Sequence, residues 1–248
     1  AHDFRKECYA TSSLLHSRII LIHAAAEGVG KLLTQMCKLE GATVIGLSQS
    51  SHELQVVLDN GADYAIPFDP DWISKVMAFT AGQGVDVVFA NVGSTLNDSL
   101  EVTKSCGKVV FYGMSGGDPT PTDPRISMDT SFRLIGGDLW SYVTTYQERN
   151  TRANILFNWI REGKLKLEKP MFFKLSEGRE AHEFLERGSS ACKVLLIPDD
   201  EFYDYCPFYW KTRSQLETYL PKASLRLELL MLKRMARMKE KIDGGDIE

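Results

Sequence analysis

The residues best suited to chemistry lie near the start of the chain, in Arg18-Ile19-Ile20-Leu21-Ile22-His23-Ala24-Ala25-Ala26-Glu27-Gly28-Val29-Gly30. This stretch reads as a buried strand, a tight turn of small residues and the start of a helix. Such a layout can hold a pyrophosphate. The first amides of the helix and the positive end of its dipole face an anion, and small residues let the anion approach the backbone. The turn is not a full GxGxxG, and small residues also suit any packed strand–helix unit. Glu27 puts a carboxylate close to where a pyrophosphate would lie. His23, Lys31 and His52 could offset it in part; read alone, the two histidines are solvated or capping residues and Lys31 is a surface lysine.

Other chemistries find little support. No Ser/His/Asp order and no paired-carboxylate arrangement stands out. The cysteines, Cys8, Cys37, Cys106, Cys192 and Cys206, are scattered, with no CxxC or Cys/His cluster. They read as free thiols of a reducing cytoplasm rather than zinc ligands, and Cys37 and Cys106 sit in apolar patterns that suit core thiols. The 248 residues are 44% hydrophobic and 25% charged, an ordinary globular composition, and the formal net charge of -4 gives no general attraction to nucleic acid or anionic membrane. No apolar run approaches the roughly 18 residues of a membrane span, and the polar N-terminus lacks a signal-peptide pattern.

The elements that must position the turn alternate in type. After a short leading helix over 2–17, Ile19–His23 is a strand, and Val29–Leu39 has helical spacing that Gly41 stops. Thr43–Leu47 is a second strand. Ser51 caps a helix carrying Leu54, Val57 and Leu58, and Gly61-Ala62-Asp63 leads into a third strand at Tyr64-Ala65-Ile66. Trp72, Val76 and Phe79 mark a helix, and Val85–Phe89 is a fourth strand with Asp86 its only polar residue. Leu96–Val102 is helical, Gly107–Phe111 is a fifth strand, and Ser115–Asp129 is a Gly/Pro-rich loop. Leu134-Ile135 falls in another strand, Thr144–Arg161 is a long helix, Ser176–Arg187 a shorter one, and Lys193–Ile197 a last strand closed by Pro198. Continuous apolar strands alternating with helices mean an α/β protein with a doubly wound parallel sheet, binding ligand at the carboxyl ends of its strands.

The character changes after Pro198, which sets the expected organisation: a domain over 1–198 and a tail over 199–248. Residues 199–221 mix acids with Phe202, Tyr203, Tyr205, Phe208, Tyr209 and Trp210. Residues 222–241 read as an amphipathic helix, with Leu225, Leu229, Leu232 and Met235 on one face and Arg226, Lys233, Arg234 and Arg237 on the other. That helix packs back on the protein or its dimer mate, or its basic face meets an anionic membrane.

The turn, Gly61-Ala62-Asp63, Gly84-Val85-Asp86-Val87-Val88, Asn91-Val92-Gly93, Phe111-Tyr112-Gly113, Gly163-Lys164-Leu165, Ala181-His182 and Lys193-Val194-Leu195-Leu196-Ile197-Pro198 occur in order. As a set, over about residues 18–198, they resemble the cofactor domain of the zinc-independent quinone oxidoreductases, the zeta-crystallin-like branch of the medium-chain dehydrogenase/reductases. The resemblance implies a Rossmann-like fold, followed here by the C-terminal helical extension read from residues 222–241, with NADPH as the usual cofactor (NADH is the other candidate, through the departures below), a small-molecule substrate, a homodimer, and direct hydride transfer to a quinone or enone without metal. It places the dinucleotide on Ala26, Gly28, Val29 and Gly30, the adenosine ribose near Ser48, Ser50 and Ser51, and the ribose and nicotinamide along Asn91, Val92, Gly93, Gly113, Met114 and Ser115. Tyr142 and Tyr146, beyond the sixth strand, are candidate proton donors that equally suit aromatic packing.

The departures from the family are chemical. Its first, GroES-like barrel domain has no counterpart among these residues. Glu53 stands where the family commonly has a lysine for the 2′-phosphate of NADPH, Phe68 where a tyrosine often helps, Glu27 in place of the turn's usual glycine, and Cys192 where Gly often precedes Lys193. Glu53 and Phe68 favour a 2′-hydroxyl over a 2′-phosphate. Glu27, Glu53 and the missing barrel counterpart support an alternative: a cofactor-free descendant acting as a lyase or isomerase, or as a small-molecule-binding protein.

Overall fold

A computed structural model describes residues 17–168, 170–187 and 193–199, with His52 described by its backbone only. The chain divides into two compact units, one running to Leu167 and one from Glu168. The expected leading helix before Ser17 and the tail from residue 200 onward lie outside the described residues.

The first unit is built on six strands: β1 (Ile19–Ile22), β2 (Thr43–Ser48), β3 (Tyr64–Pro67), β4 (Val85–Val92), β5 (Thr103–Ser115) and β6 (Arg133–Gly136). They form one sheet in the order β3-β2-β1-β4-β5-β6, every pair parallel. Successive residues Ile20, Leu21 and Ile22 are all fully buried, as a parallel strand covered on both faces requires. On one face Leu21, Ile45, Leu47, Val88 and Val109 pack with Trp72 and Val76 of α3 (Trp72–Phe79) and with Leu96 and Leu100 of α4 (Leu96–Glu101). On the other, Ile20, Ile22, Val44, Phe89 and Val110 pack with Cys37 of α1 (Gly28–Leu39) and Val57 of α2 (Leu54–Asp59). The strand order reverses direction between β1 and β4, which opens a crevice at their carboxyl ends.

At the opposite edge Asp86 ties the strand starts together. It accepts from Arg18 Nη1 at 2.7 Å and the Ile19 amide at 2.8 Å, and pairs with Lys104. Burial pushes its carboxyl pKa up, but Lys104, the Ile19 amide and Arg18 together outweigh burial and hold it below the usual range.

Several boundaries differ from the sequence expectation. Ser51 does not cap α2: Ser51–Glu53 form one 3-10 turn, and Glu53 sits at the cap position without a side-chain capping bond. The expected loop after Ser115 contains α5 (Pro124–Thr130), started by Pro124 and by the Asp123 carboxylate accepting from the Arg125 amide at 2.9 Å. Asp138 caps the short α6 (Leu139–Tyr142), and Thr145 with Glu148 forms a capping box for α7 (Tyr146–Arg161). β5 begins at Thr103, and its pairing with β4 shifts register between Val85 and Val87. Cys106 lies in this irregular part with φ of 62° and is exposed, so it is not the core thiol its apolar neighbours suggested; Cys37 is buried.

In the second unit β7 (Met171–Lys174) and β8 (Val194–Ile197) pair in parallel. α8 (Gly178–Glu186) lays Phe184 against Phe173, ring centres 5.6 Å apart. The last expected strand therefore pairs with β7, not with the six-stranded sheet, and β7 itself was not anticipated. Among the described residues no helix is long and apolar enough to cross a membrane.

Candidate functional site

The turn after β1 is held by the sheet around it. The His23 amide donates to the Phe89 carbonyl at 3.0 Å and the Ala25 amide to the Leu47 carbonyl at 2.8 Å. Ala24 takes φ of 49°, a left-handed conformation that costs an alanine about 1 kcal/mol or more. The chain then reverses closely enough that a Cβ on Gly30 would lie 2.2 Å from the Ala24 carbonyl oxygen, so only glycine fits. α1 starts with Glu27 at its cap position and no side-chain cap bond. Its first-turn amides have no acceptor within the helix. Gly28 and Val29 are exposed beside Glu27, while Ala26 and Gly30 are buried. The result is an open backbone cradle for an anion.

Ser48, at the carboxyl end of β2, is buried, and its hydroxyl donates to Glu53 Oε2. Its carbonyl accepts from the Phe68 amide at 2.7 Å, which closes the end of β3 against β2. Ser50 is half-buried and Ser51 exposed on the same loop. At the carboxyl ends of β4 and β5, Asn91 and Val92 are half-buried, Gly93 is buried, Gly113 is half-buried and Met114 and Ser115 are exposed. A Cβ on Gly93 would fall 2.0 Å from the Gly117 oxygen, so the loop after β5 folds tightly over the end of β4. All these residues therefore share one edge of the sheet. Tyr142 and Tyr146 stand farther out: the Tyr142 hydroxyl donates to the Gly136 carbonyl at the end of β6, 3.3 Å away, and Tyr146 is exposed at the start of α7.

Several features escaped the sequence reading. His23 is neither solvated nor a cap: it is 1% exposed, with Ser99 Oγ 3.1 Å from Nε2, Thr95 Oγ1 3.3 Å from Nδ1 and the Trp72 ring edge-on. Burial pushes its pKa down to about 4, so it is a neutral strut beneath the edge and lends no positive charge. Lys31, expected at the surface, is buried. Tyr112 of β5 has a buried hydroxyl without a hydrogen-bond partner, and its pKa is pushed up to about 12, first by burial and then by the Glu27 carboxylate. Asn91 Oδ1 is likewise buried and unpartnered. Orphaned polar atoms of this kind at a strand edge suit a polar ligand.

The edge thus fits a dinucleotide in shape: a backbone cradle for the pyrophosphate, a flanking carboxylate at β2 and unclaimed polar atoms at β4 and β5. Its charge is less accommodating, since Glu27 and Glu53 are both acidic. Among the described residues no group of three or more His, Cys, Asp or Glu side chains is placed to hold a metal ion.

Comparison with known proteins agrees with this geometry. The family described as zinc-binding dehydrogenase matches residues 28–151. The quinone oxidoreductase of Salmonella typhimurium is 33% identical over 183 residues, which are 72% of this chain and 56% of that one. The Escherichia coli quinone oxidoreductase, solved in complex with NADPH, superposes with a TM-score of 0.67 at 31% identity, covering 74% of this chain and 58% of that one. The Pseudomonas syringae quinone oxidoreductase gives a TM-score of 0.70 at 29% identity, over 79% and 60%. The chain spans little more than half the length of these relatives.

Proposed function

We propose, from the premise that this chain belongs to the zinc-binding dehydrogenase family of medium-chain dehydrogenase/reductases, that it binds a nicotinamide dinucleotide, NADPH or NADH, and serves a quinone or enone oxidoreductase. The observation that carries this reading is the cradle at Ala26, Gly28, Val29 and Gly30, on a unit that superposes on a quinone oxidoreductase solved with NADPH. When bound, the nicotinamide supplies a hydride. The chain's own part is positional. Its α1 amides receive the pyrophosphate, Ser48, Ser50 and Ser51 flank the adenosine ribose, and Asn91, Val92, Gly93, Gly113, Met114 and Ser115 line the route of the nicotinamide half. Tyr112 stays a neutral phenol at any physiological pH and can donate only a hydrogen bond there.

The exposed edge strand β6, with Leu134 half out of the sheet, is the surface through which the chain forms a homodimer. The thiols of Cys37 and Cys106 suit a reducing, cytoplasmic setting. The extents proposed for the two parts of the chain remain 1–198 and 199–248. Titration with NADPH and NADH, followed by nicotinamide fluorescence, tests the assignment: a saturable change supports it. No change with either dinucleotide supports the second reading, a cofactor-free lyase, isomerase or small-molecule-binding protein, which the carboxylates of Glu27 and Glu53 favour.

A further inference from the structure

We propose that this site selects NAD(H), with its free adenosine 2′-hydroxyl, over NADP(H), and that Glu53, anchored by Ser48, is the residue that discriminates. The inference rests on the dinucleotide reading given above. In a doubly wound sheet the adenosine half runs from the α1 cradle towards the carboxyl end of the neighbouring β2. There, about 20 residues beyond the glycine turn, an acidic side chain can take the ribose 2′-hydroxyl. Ser48 occupies that strand end, is 2% exposed, and is fixed on both sides, its carbonyl by the Phe68 amide and its hydroxyl by Glu53. The Ser48 bond ties Glu53, through Oε2, to the carboxyl end of β2.

An ionised carboxylate only accepts hydrogen bonds. A 2′-hydroxyl can donate to it; a 2′-phosphate cannot, and adds like charge at close range. The surrounding loops do not reverse this. From Ser48 to Glu53 and from Ile66 to Asp71 the chain has no Lys or Arg, and it carries Glu53, Asp69 and Asp71. His52 is the one residue of these segments able to gain positive charge. The nearby Lys75 is already paired with Asp69. Phe68 presents an exposed ring where a phosphate would want a donor.

The test is calorimetric titration of the full chain with NADH and with NADPH at neutral pH and low salt, repeated on Glu53→Gln. The expected result is NADH binding at least about tenfold tighter than NADPH in the wild type. In Glu53→Gln the ratio narrows to about threefold or less, with an unchanged melting curve. ADP-ribose against 2′-phospho-ADP-ribose in the wild type repeats the comparison on the adenosine end alone, without relying on any variant. NADPH binding as tightly as NADH or tighter, or a ratio unmoved by Glu53→Gln, overturns the inference and leaves the dinucleotide reading standing. Binding of neither dinucleotide overturns both.

Discussion

Replacing Gly30 with alanine is the sharpest perturbation of the cradle. A Cβ there would lie 2.2 Å from the Ala24 carbonyl oxygen, 2.7 Å from the Ala25 Cα and 2.9 Å from the Ala24 carbonyl carbon. All three atoms are backbone, so no side chain can swing aside. Reaching ordinary van der Waals separation needs a shift of about 1 Å. Either α1 moves off the sheet face it covers through Cys37, or the turn held by the Phe89 and Leu47 carbonyls must open. Overpacking of this kind costs about 1–3 kcal/mol, with more where the backbone resists. Relief of glycine's chain entropy returns roughly 0.5–1 kcal/mol. The expected net loss is about 2 kcal/mol, a fall in melting temperature of roughly 4–8 °C for a chain of this size. Gly28→Ala is the control, because nothing lies within 4 Å of its Cβ and its φ is not left-handed. It should stay within about 0.5 kcal/mol of the wild type. Urea unfolding of the two variants decides the matter. A Gly30→Ala variant as stable as the wild type, or a Gly28→Ala variant equally damaged, would refute the packing of the turn.

Further outcomes are expected at His23, Asp86 and Leu134. His23 is buried neutral, with its pKa lowered from 6.5 to about 4. The unfolded chain therefore binds a proton that the folded chain refuses, and stability should fall as pH drops from about 6.5 towards about 4, by on the order of 3 kcal/mol; His23→Gln should flatten that slope in unfolding curves measured across the range. Asp86→Ala should cost about 1–3 kcal/mol in urea unfolding, because it strands the Ile19 amide and leaves Arg18 and Lys104 without their shared partner. The Asp86 contribution is present above the ordinary carboxylate range and is lost as pH falls through its lowered native pKa, so acid unfolding of Asp86→Asn should show a shallower dependence below about pH 4. Leu134→Lys on the edge strand should convert a dimer to a monomer in light scattering at micromolar concentration, and a wild type that is already monomeric would remove β6 as an interface.

The sheet was legible because its strands are uninterrupted apolar runs, a pattern that needs cover on both faces and leaves little choice but parallel pairing. The turn was legible from its small residues between such a strand and a helical repeat. What the sequence hid was set by partners distant along the chain. His23 looked like a strand-end residue because Thr95, Ser99 and Trp72, which bury it, lie on later elements. Cys106 looked apolar by its neighbours, yet the register shift between β4 and β5 turns it outward. β7 went unseen because Met171-Phe172-Phe173-Lys174 is short and, among the described residues, acquires its pairing from β8, more than 20 residues later. α5 had a readable signal in Asp123-Pro124, a cap followed by proline, inside a stretch whose Gly and Pro content pointed to loop. The Ser48–Glu53 bond needed the intervening 3-10 turn to bring the two together.

The central claim is that the carboxyl edge of the six-stranded sheet is a dinucleotide site, and a crystal structure of the chain grown with NADH tests it most directly. The account predicts the pyrophosphate against the amides of Gly28, Val29 and Gly30, the adenosine ribose within hydrogen-bond reach of Glu53, and the nicotinamide half running past Asn91 and Gly113. Dinucleotide bound elsewhere on the chain, or an edge left without it at saturating NADH, would contradict the claim.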